Sequence, residues 1–339
     1  MSGRELAPGR STWRLDGHVT GAATDATSRW GAFALGSGRV RLIDLGEQVA
    51  HASREVAVHD GPVLAITAAG DGFVTGGDDG KLAALTTSGQ VGERARFGQR
   101  WVEHVAALPD GRMLAAVGKE VTVHGLDGAI QLRLGPHPST VAGLDARAGL
   151  VAVAHYGGAT VHDLATSPPK PTFYPWKGSH IAVAISPDAT VLASSLQDGE
   201  IHCWRLDSER EMRMAGYPGK VRSLSWSHHG EWLATSGASM LAAWRFDGDG
   251  PEGRPPFDLF EADSPVTRVA CHPLAPIVAG GYAEGIVVIA DVASRRGGRH
   301  LLSRNGAVSA LAWSPDGRHL LAGSEDGRAA IFTIPGPAR

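Results

Sequence analysis

Histidine is the side chain best suited to bind metals or move protons near neutral pH, and this chain has 15 of them in 339 residues. A metal site needs three or four ligands drawn to one point. His228-His229 is an adjacent pair, but it occupies a polar turn just after Trp226. His104 and His202 lie in apolar stretches that read as strands. His124 and His162 close such stretches, where they can hydrogen-bond within a sheet. Metal handling becomes the better reading only if at least three histidines from different parts of the chain converge. The nucleophile motif GxSxG and the metalloprotease motif HExxH are both absent. Gly80-Lys81, Gly118-Lys119 and Gly219-Lys220 lack the Ser or Thr that completes a phosphate-binding loop. The Asp-Gly pairs fall at hairpin turns, where turn chemistry accounts for them. The expectation is a protein that is not an enzyme, with no catalytic residue, no metal ligand and no cofactor.

Composition narrows the class. The formal net charge is -3, from 32 Lys+Arg against 35 Asp+Glu, which argues against bulk binding to nucleic acid or to anionic membrane. Two cysteines, Cys203 and Cys271, exclude a disulfide scaffold and any CxxC motif, and suit a reduced compartment. Met1–Arg10 shows no apolar segment of a signal peptide, and no run of 18 apolar residues exists. The expected location is cytoplasmic. Glycine makes up 45 residues, about 13 % against an average of about 7 %. Glycine-rich, charge-poor sequence suits many short strands joined by tight turns.

The elements that must position any site come from a repeat. Ala307 to Ile334 reads as an apolar strand, a turn at Ser314-Pro315-Asp316-Gly317, a second strand, a turn at Glu325-Asp326-Gly327, and a third strand. Similar units run from Pro62 to Leu85, His180 to Leu206, and Lys220 to Phe246. The third strands end near Ile43, Leu85, His124, His162, Trp204, Trp244, Ala290 and Phe332, at spacings of 42, 39, 38, 42, 40, 46 and 42. The first strands begin at Val19, Val63, Val102, Val141, His180, Val221, Val266 and Val308, with His180 taking an apolar slot. Short stretches such as Thr12–Leu15, Arg54–Val58, Gln131–Leu134 and Phe257–Phe260 read as outer fourth strands. A period of this length with four strands marks a β-propeller blade. The expected fold is all-β: a β-propeller of eight four-stranded blades, with seven as the alternative. Residues 11–334 would form the propeller, 1–10 a flexible N-terminal tail and 335–339 a C-terminal tail.

Ser314-Pro315-Asp316-Gly317, Ser186-Pro187-Asp188, the Asp-Gly turns and the third-strand ends together resemble the WD-repeat family. The resemblance implies a buried tetrad of His, Ser or Thr, Trp and Asp in each unit. No unit here keeps all four. His59, Thr75 and Asp79 stand in the second unit with Leu85 in place of Trp. Ser194, Asp198 and Trp204 stand in the fifth with Trp176 in place of His, and Tyr217 takes the His slot in the sixth. The resemblance also implies that the N-terminal strand closes the ring against the last blade.

Trp226 and Trp313 share one first-strand position and should pack between blades. In such a fold the loops from fourth to first strands and from second to third share one face. That face should collect Arg100, Trp101, Tyr156, Lys177, His180, Lys220, Tyr282, Glu284 and Arg304. Aromatic and Arg residues without a core role are what recognition hot spots favour; the alternative is that Trp101 and Tyr156 only cap blade ends. The first strands should line the channel. They read Val63-Leu64-Ala65-Ile66, Val269-Ala270-Cys271 and Val308-Ser309-Ala310-Leu311, apolar or small, which disfavours a metal ring or a hydrolase site. The function expected is a monomeric scaffold that binds a protein or peptide on the loop face. A histidine-based metal or small-ligand binder is the alternative.

Overall fold

The unit expected at the C-terminal end forms as read. Val308–Trp313, His319–Ser324 and Arg328–Thr333 run antiparallel as neighbours in this computed structural model, which describes residues 9–46, 52–208, 210–248 and 250–334. In the first turn Ser314 Oγ donates to Asp316 Oδ1 at 2.5 Å, and Gly317 takes a φ of 71° that L side chains avoid. The same plan repeats along the chain. Among the described residues every element is a strand.

Second strands such as Gly72–Gly77, Val191–Leu196 and His319–Ser324 are buried at every position. A strand covered on both faces reads as a continuous apolar run, and these are covered because each sheet lies face to face with the next. Ala32, Ala34, Val40 and Leu42 of one sheet thus pack on Phe73, Ala83 and Leu85 of its neighbour. Around the axis the first strands touch in turn: Val19–Thr24, Val63–Ala69, His104–Ala107, Gly143–Arg147, the second half of Lys170–Ile185, Leu224–Trp226, Val266–Cys271 and Val308–Trp313, which returns to Val19–Thr24.

Eight separate four-stranded blades do not form. The strands group into seven sheets, six of four strands and one of six. The six-stranded sheet arises because two long strands, Leu150–Asp163 and Lys170–Ile185, each run through what is a turn elsewhere. Tyr156 pairs with Ser179 just before Gly158 pairs with Pro175, so hydrogen bonding never breaks between the two repeat units. Gly157 and Gly158, with φ of 89° and 148°, let the backbone bend there without ending the strand. The count matches the alternative of seven, but the cause is fusion of two units rather than a degenerate edge unit.

The ring closes by pairing its two ends. Gly9–Arg14 runs antiparallel to Arg328–Thr333, from Gly9 opposite Thr333 to Arg14 opposite Arg328. Gly9 and Arg10, expected in the tail, therefore belong to the closing strand. Residues 1–8 and 335–339 of the expected tails lie outside the described residues. Behind the seam, Leu321, Ala329 and Ile331 pack on Phe33, Leu35 and Ile43. Removing residues 1–14 should lower the melting temperature by roughly 5–10 °C, the cost of several broken hydrogen bonds and an opened core. Scanning calorimetry checks this, and an unchanged midpoint would show that the seam adds nothing to stability.

Candidate recognition face

Four units, the second, fourth, fifth and sixth, enter the ring through a polar side-chain ring anchored to their second or third strands. In the second unit His59 Nδ1 lies 2.9 Å from Asp79 Oδ1, and its Nε2 lies 2.8 Å from Thr75 Oγ1. Asp60 N and Lys81 N also donate to Asp79, at 3.0 and 3.1 Å. Burial alone would raise the Asp79 carboxyl. The hydrogen bonds from Asp60, His59 and Lys81 outweigh it and hold the pKa at about 2.

The other units reach the same end with different residues. Tyr217, in the His slot of the sixth unit, bonds Thr235 Oγ1 at 2.8 Å and accepts from Trp244 Nε1 at 2.5 Å. Burial pushes its phenol up to about 12. In the fifth unit the histidine comes four residues later than expected. His180 Nδ1 lies 2.8 Å from Ser194 Oγ, and its Nε2 bonds Trp176 O at 3.1 Å. Trp176 itself stacks on His202, ring centroids 3.8 Å apart, and burial lowers the His202 pKa to about 4. In the fourth unit His137 Nε2 and His162 Nε2 lie 3.0 Å apart, one donating to the other, while His137 Nδ1 donates to Lys119 O. Burial, then the charge of His137, lowers the His162 pKa to about 4. His155 bonds Thr160 Oγ1 at 2.9 Å beside them. These three histidines do draw together, but within one unit and with five of their six ring nitrogens committed to hydrogen bonds. Among the described residues no group of three or more His, Cys, Asp or Glu is arranged to hold a metal ion.

Strand order puts the turns between second and third strands and the entries to first strands at one end of the axis. The residues expected on that face divide into two sets. Arg100, Trp101, Tyr156, Lys177, Lys220 and Arg304 are exposed. Trp101 is 57 % exposed and Tyr156 65 %. Glu284 is half-buried, its backbone N–H held by Ser264 Oγ and Arg299 3.7 Å from its carboxylate. His180 and Tyr282 are fully buried and leave the set. His180 is one anchor described above. Tyr282 fills the core between two sheets, its hydroxyl donating to Phe260 O at 2.9 Å. Phe173, not expected on the surface, is 50 % exposed and stacks on His155 behind Tyr156.

Trp226 and Trp313 do pack between sheets, and their indoles show why. Trp226 Nε1 donates to Ala184 O at 3.2 Å and Trp313 Nε1 to Ala270 O at 3.0 Å, each on the preceding first strand. Side chains stitch the first strands elsewhere too: Thr24 donates to Trp313 O, Ser309 to Val19 O, and Ser225 accepts from Cys271 N.

A closed ring of face-to-face sheets, four of its entries held by polar anchors, defines a β-propeller. The family model described as WD domain, G-beta repeat, matches residues 169–205, 209–244 and 298–333. These three stretches, about a third of the chain, are similar to the repeat of that family. It is 28 % identical over 161 residues to transcription initiation factor TFIID subunit 5 of Caenorhabditis elegans, covering 46 % of this chain and 24 % of that one. It is 27 % identical over 156 residues to the LST8 homolog of Drosophila melanogaster, covering 44 % and 48 %. The matches thus span less than half the length of either relative. In fold it is similar to the computationally designed Ika8 protein, with a TM-score of 0.79 and 18 % identity, over 98 % of this chain and 100 % of that one.

Two measurements check the anchors. Tyr217→Phe leaves Trp244 Nε1 without its acceptor and should cost about 1–3 kcal/mol in urea unfolding. Asp79→Asn should cost about 2 kcal/mol at pH 7, since a carboxyl with a lowered folded pKa stabilises the fold above its unfolded value. That difference should fade as pH falls from 4 to 2. A gap between variant and wild type that stays constant over that range would remove Asp79 from the account.

Proposed function

We propose that the chain is a non-catalytic scaffold that binds another protein or a peptide on the loop face of its propeller. The carrying observation is the pair Trp101 and Tyr156, large rings left in water at one end of a frame that buries Trp204, Tyr282 and Phe332 completely. Exposed aromatic area on stiff loops is what a partner buries to gain affinity. Trp101 leads into the first strand of the third unit, and Tyr156 stands at the bend of the fourth, so adjacent sectors supply the pair. Its neighbours Lys177 and Arg100 would supply the polar rim, with Glu284, Arg304 and Lys220 on the far side of the channel mouth. One relative is named as a subunit of a larger factor, which supports an adaptor role.

The same reading takes the protein as a monomeric ring without nucleic-acid or membrane partners, which the near-neutral net charge of -3 supports. Among the described residues no helix is long and apolar enough to cross a membrane. The cytoplasmic location expected from the cysteines finds no support in a relative named as a transcription initiation factor subunit. The six-stranded sheet is further inferred to act as two blades, giving eight radial units. The support is that both Gly143–Arg147 and the second half of Lys170–Ile185 take first-strand places on the channel, joined where Ile185 N donates to Asp145 Oδ2 at 2.7 Å.

The double variant Trp101→Ala/Tyr156→Ala should lose partner capture, read by affinity purification and mass spectrometry, with the melting temperature within about 2 °C of wild type because both rings lie at the surface. Undiminished capture by the folded double variant would move recognition to another face.

A further inference from the structure

The channel wall is not uniformly apolar. Arg268 interrupts the first strand Val266–Cys271 just before its small residues. Its Nε donates to Ser309 O at 2.8 Å and its Nη1 to Thr267 O at 3.0 Å. These two bonds pin the guanidinium against the next first strand but use only part of its five N–H groups. Burial and then the charge of Arg222 act against the Arg268 cation, and Glu325 acts for it. Lys220 stands at the rim beside them. Among the described residues no ion pair neutralises Lys220, Arg222 or Arg268.

These groups border one cleft of about 400 Å³ at the mouth of the channel, with Ser236, Thr267 and Glu325 completing its wall. Three cations against one carboxylate leave an excess of two positive charges. A partly buried cation repelled by a second one is stabilised by any anion that enters between them. The guanidinium fork matches the oxygens of phosphoryl and carboxylate groups, and a pinned fork loses little entropy on binding them.

We propose that this cleft binds a small oxyanion with two or more negative charges, of phosphoryl or polycarboxylate chemistry, between Arg222 and Arg268, with Lys220 adding its charge from the rim. The volume lies within the ordinary range for small ligands, roughly 300–1,000 Å³. The cations gather in one cleft rather than along the face, which suits a compact ligand better than an acidic peptide laid across the loops. The site is separate from the Trp101 and Tyr156 sector and does not rest on it.

The test is titration calorimetry on the full chain at low salt, with pyrophosphate and with citrate as separate probes. At least one should bind saturably at one per chain and weaken as salt rises. Arg222→Ala should weaken that binding by about tenfold or more, because a charge-assisted hydrogen bond to the anion disappears. Glu325→Gln should tighten it by about threefold, because a carboxylate no longer repels the anion. Both positions are exposed, so both variants should fold. Arg268→Lys keeps the charge but not the fork and should bind more weakly than wild type. Preference for pyrophosphate or for citrate identifies the ligand chemistry. Absence of saturable binding by either probe, or equal binding by wild type, Arg222→Ala and Glu325→Gln, would overturn the proposal. Capture of an Asp/Glu-rich peptide with neither probe bound would overturn it too, while leaving the partner-binding reading intact.

Discussion

Closure of the ring is the constraint on which everything else rests. A row of sheets packed face to face has two ends, and each end would present an uncovered apolar face and unpaired strand edges to water. The chain removes both at once. Gly9–Arg14 pairs with Arg328–Thr333, so the last sheet is completed by the first residues described. The core behind that pairing joins Leu321 and Ile331 to Phe33 and Ile43, all four fully buried. On the channel side Thr24 bonds Trp313 O and Ser309 bonds Val19 O, so the inner edge is tied across the same seam. In an open row the two end sheets would each leave one face of the second strand in water, so the full burial of His319–Ser324 at the seam makes sense only in a closed ring.

Within the ring the repeats differ in sequence more than in chemistry. In four of the units a polar ring has reach enough to tie the incoming loop to the second or third strand. His59 does so through Thr75 and Asp79, Tyr217 through Thr235 and Trp244, His180 through Ser194, and His137 through His162. A buried polar atom left without a partner costs more than a hydrogen bond adds. Substitutions in one member are therefore tolerated when another ring completes the chain, even from four positions away. His59, His137, His162 and His180 are structural for that reason.

The period is legible in the sequence because the strands are short, the turns are chemically marked, and the spacing of third-strand ends barely drifts. The paired roles of Trp226 and Trp313 are legible for the same reason: equal register implies equal surroundings. His180 looks like a face residue from its place in the loop, although its register carries the answer. The slot it shares with Val19, Val63 and Val308 is buried in each of them, so a side chain there points into the core. Tyr282 ends its strand and looks like a loop residue in one dimension, but that second strand is covered on both faces, so its last side chain is buried as well. Fusion of two units into one sheet is not legible, since Gly157-Gly158 and Gly178 mark a turn and a bend alike. Arg268 escapes when the channel lining of the strand that begins at Val266 is judged on Val269-Ala270-Cys271, its small and apolar residues.

The stiffness of the frame also explains how the mouth of the channel can hold mismatched charge. Arg222 and Arg268 repel each other, and a compliant loop would swing one of them out to water. Arg268 cannot move, because its Nε and Nη1 are bonded to carbonyls of two first strands whose own positions are fixed by Ser223 and Thr267. The open cleft lets water carry part of the cost, which a closed core would not. Strain of this kind persists only where many other contacts over-determine the backbone. A ring in which every first strand touches the next, five of the eight junctions carrying side-chain hydrogen bonds, supplies that surplus, and so separates the residues that hold the shape from those free to meet a ligand or a partner.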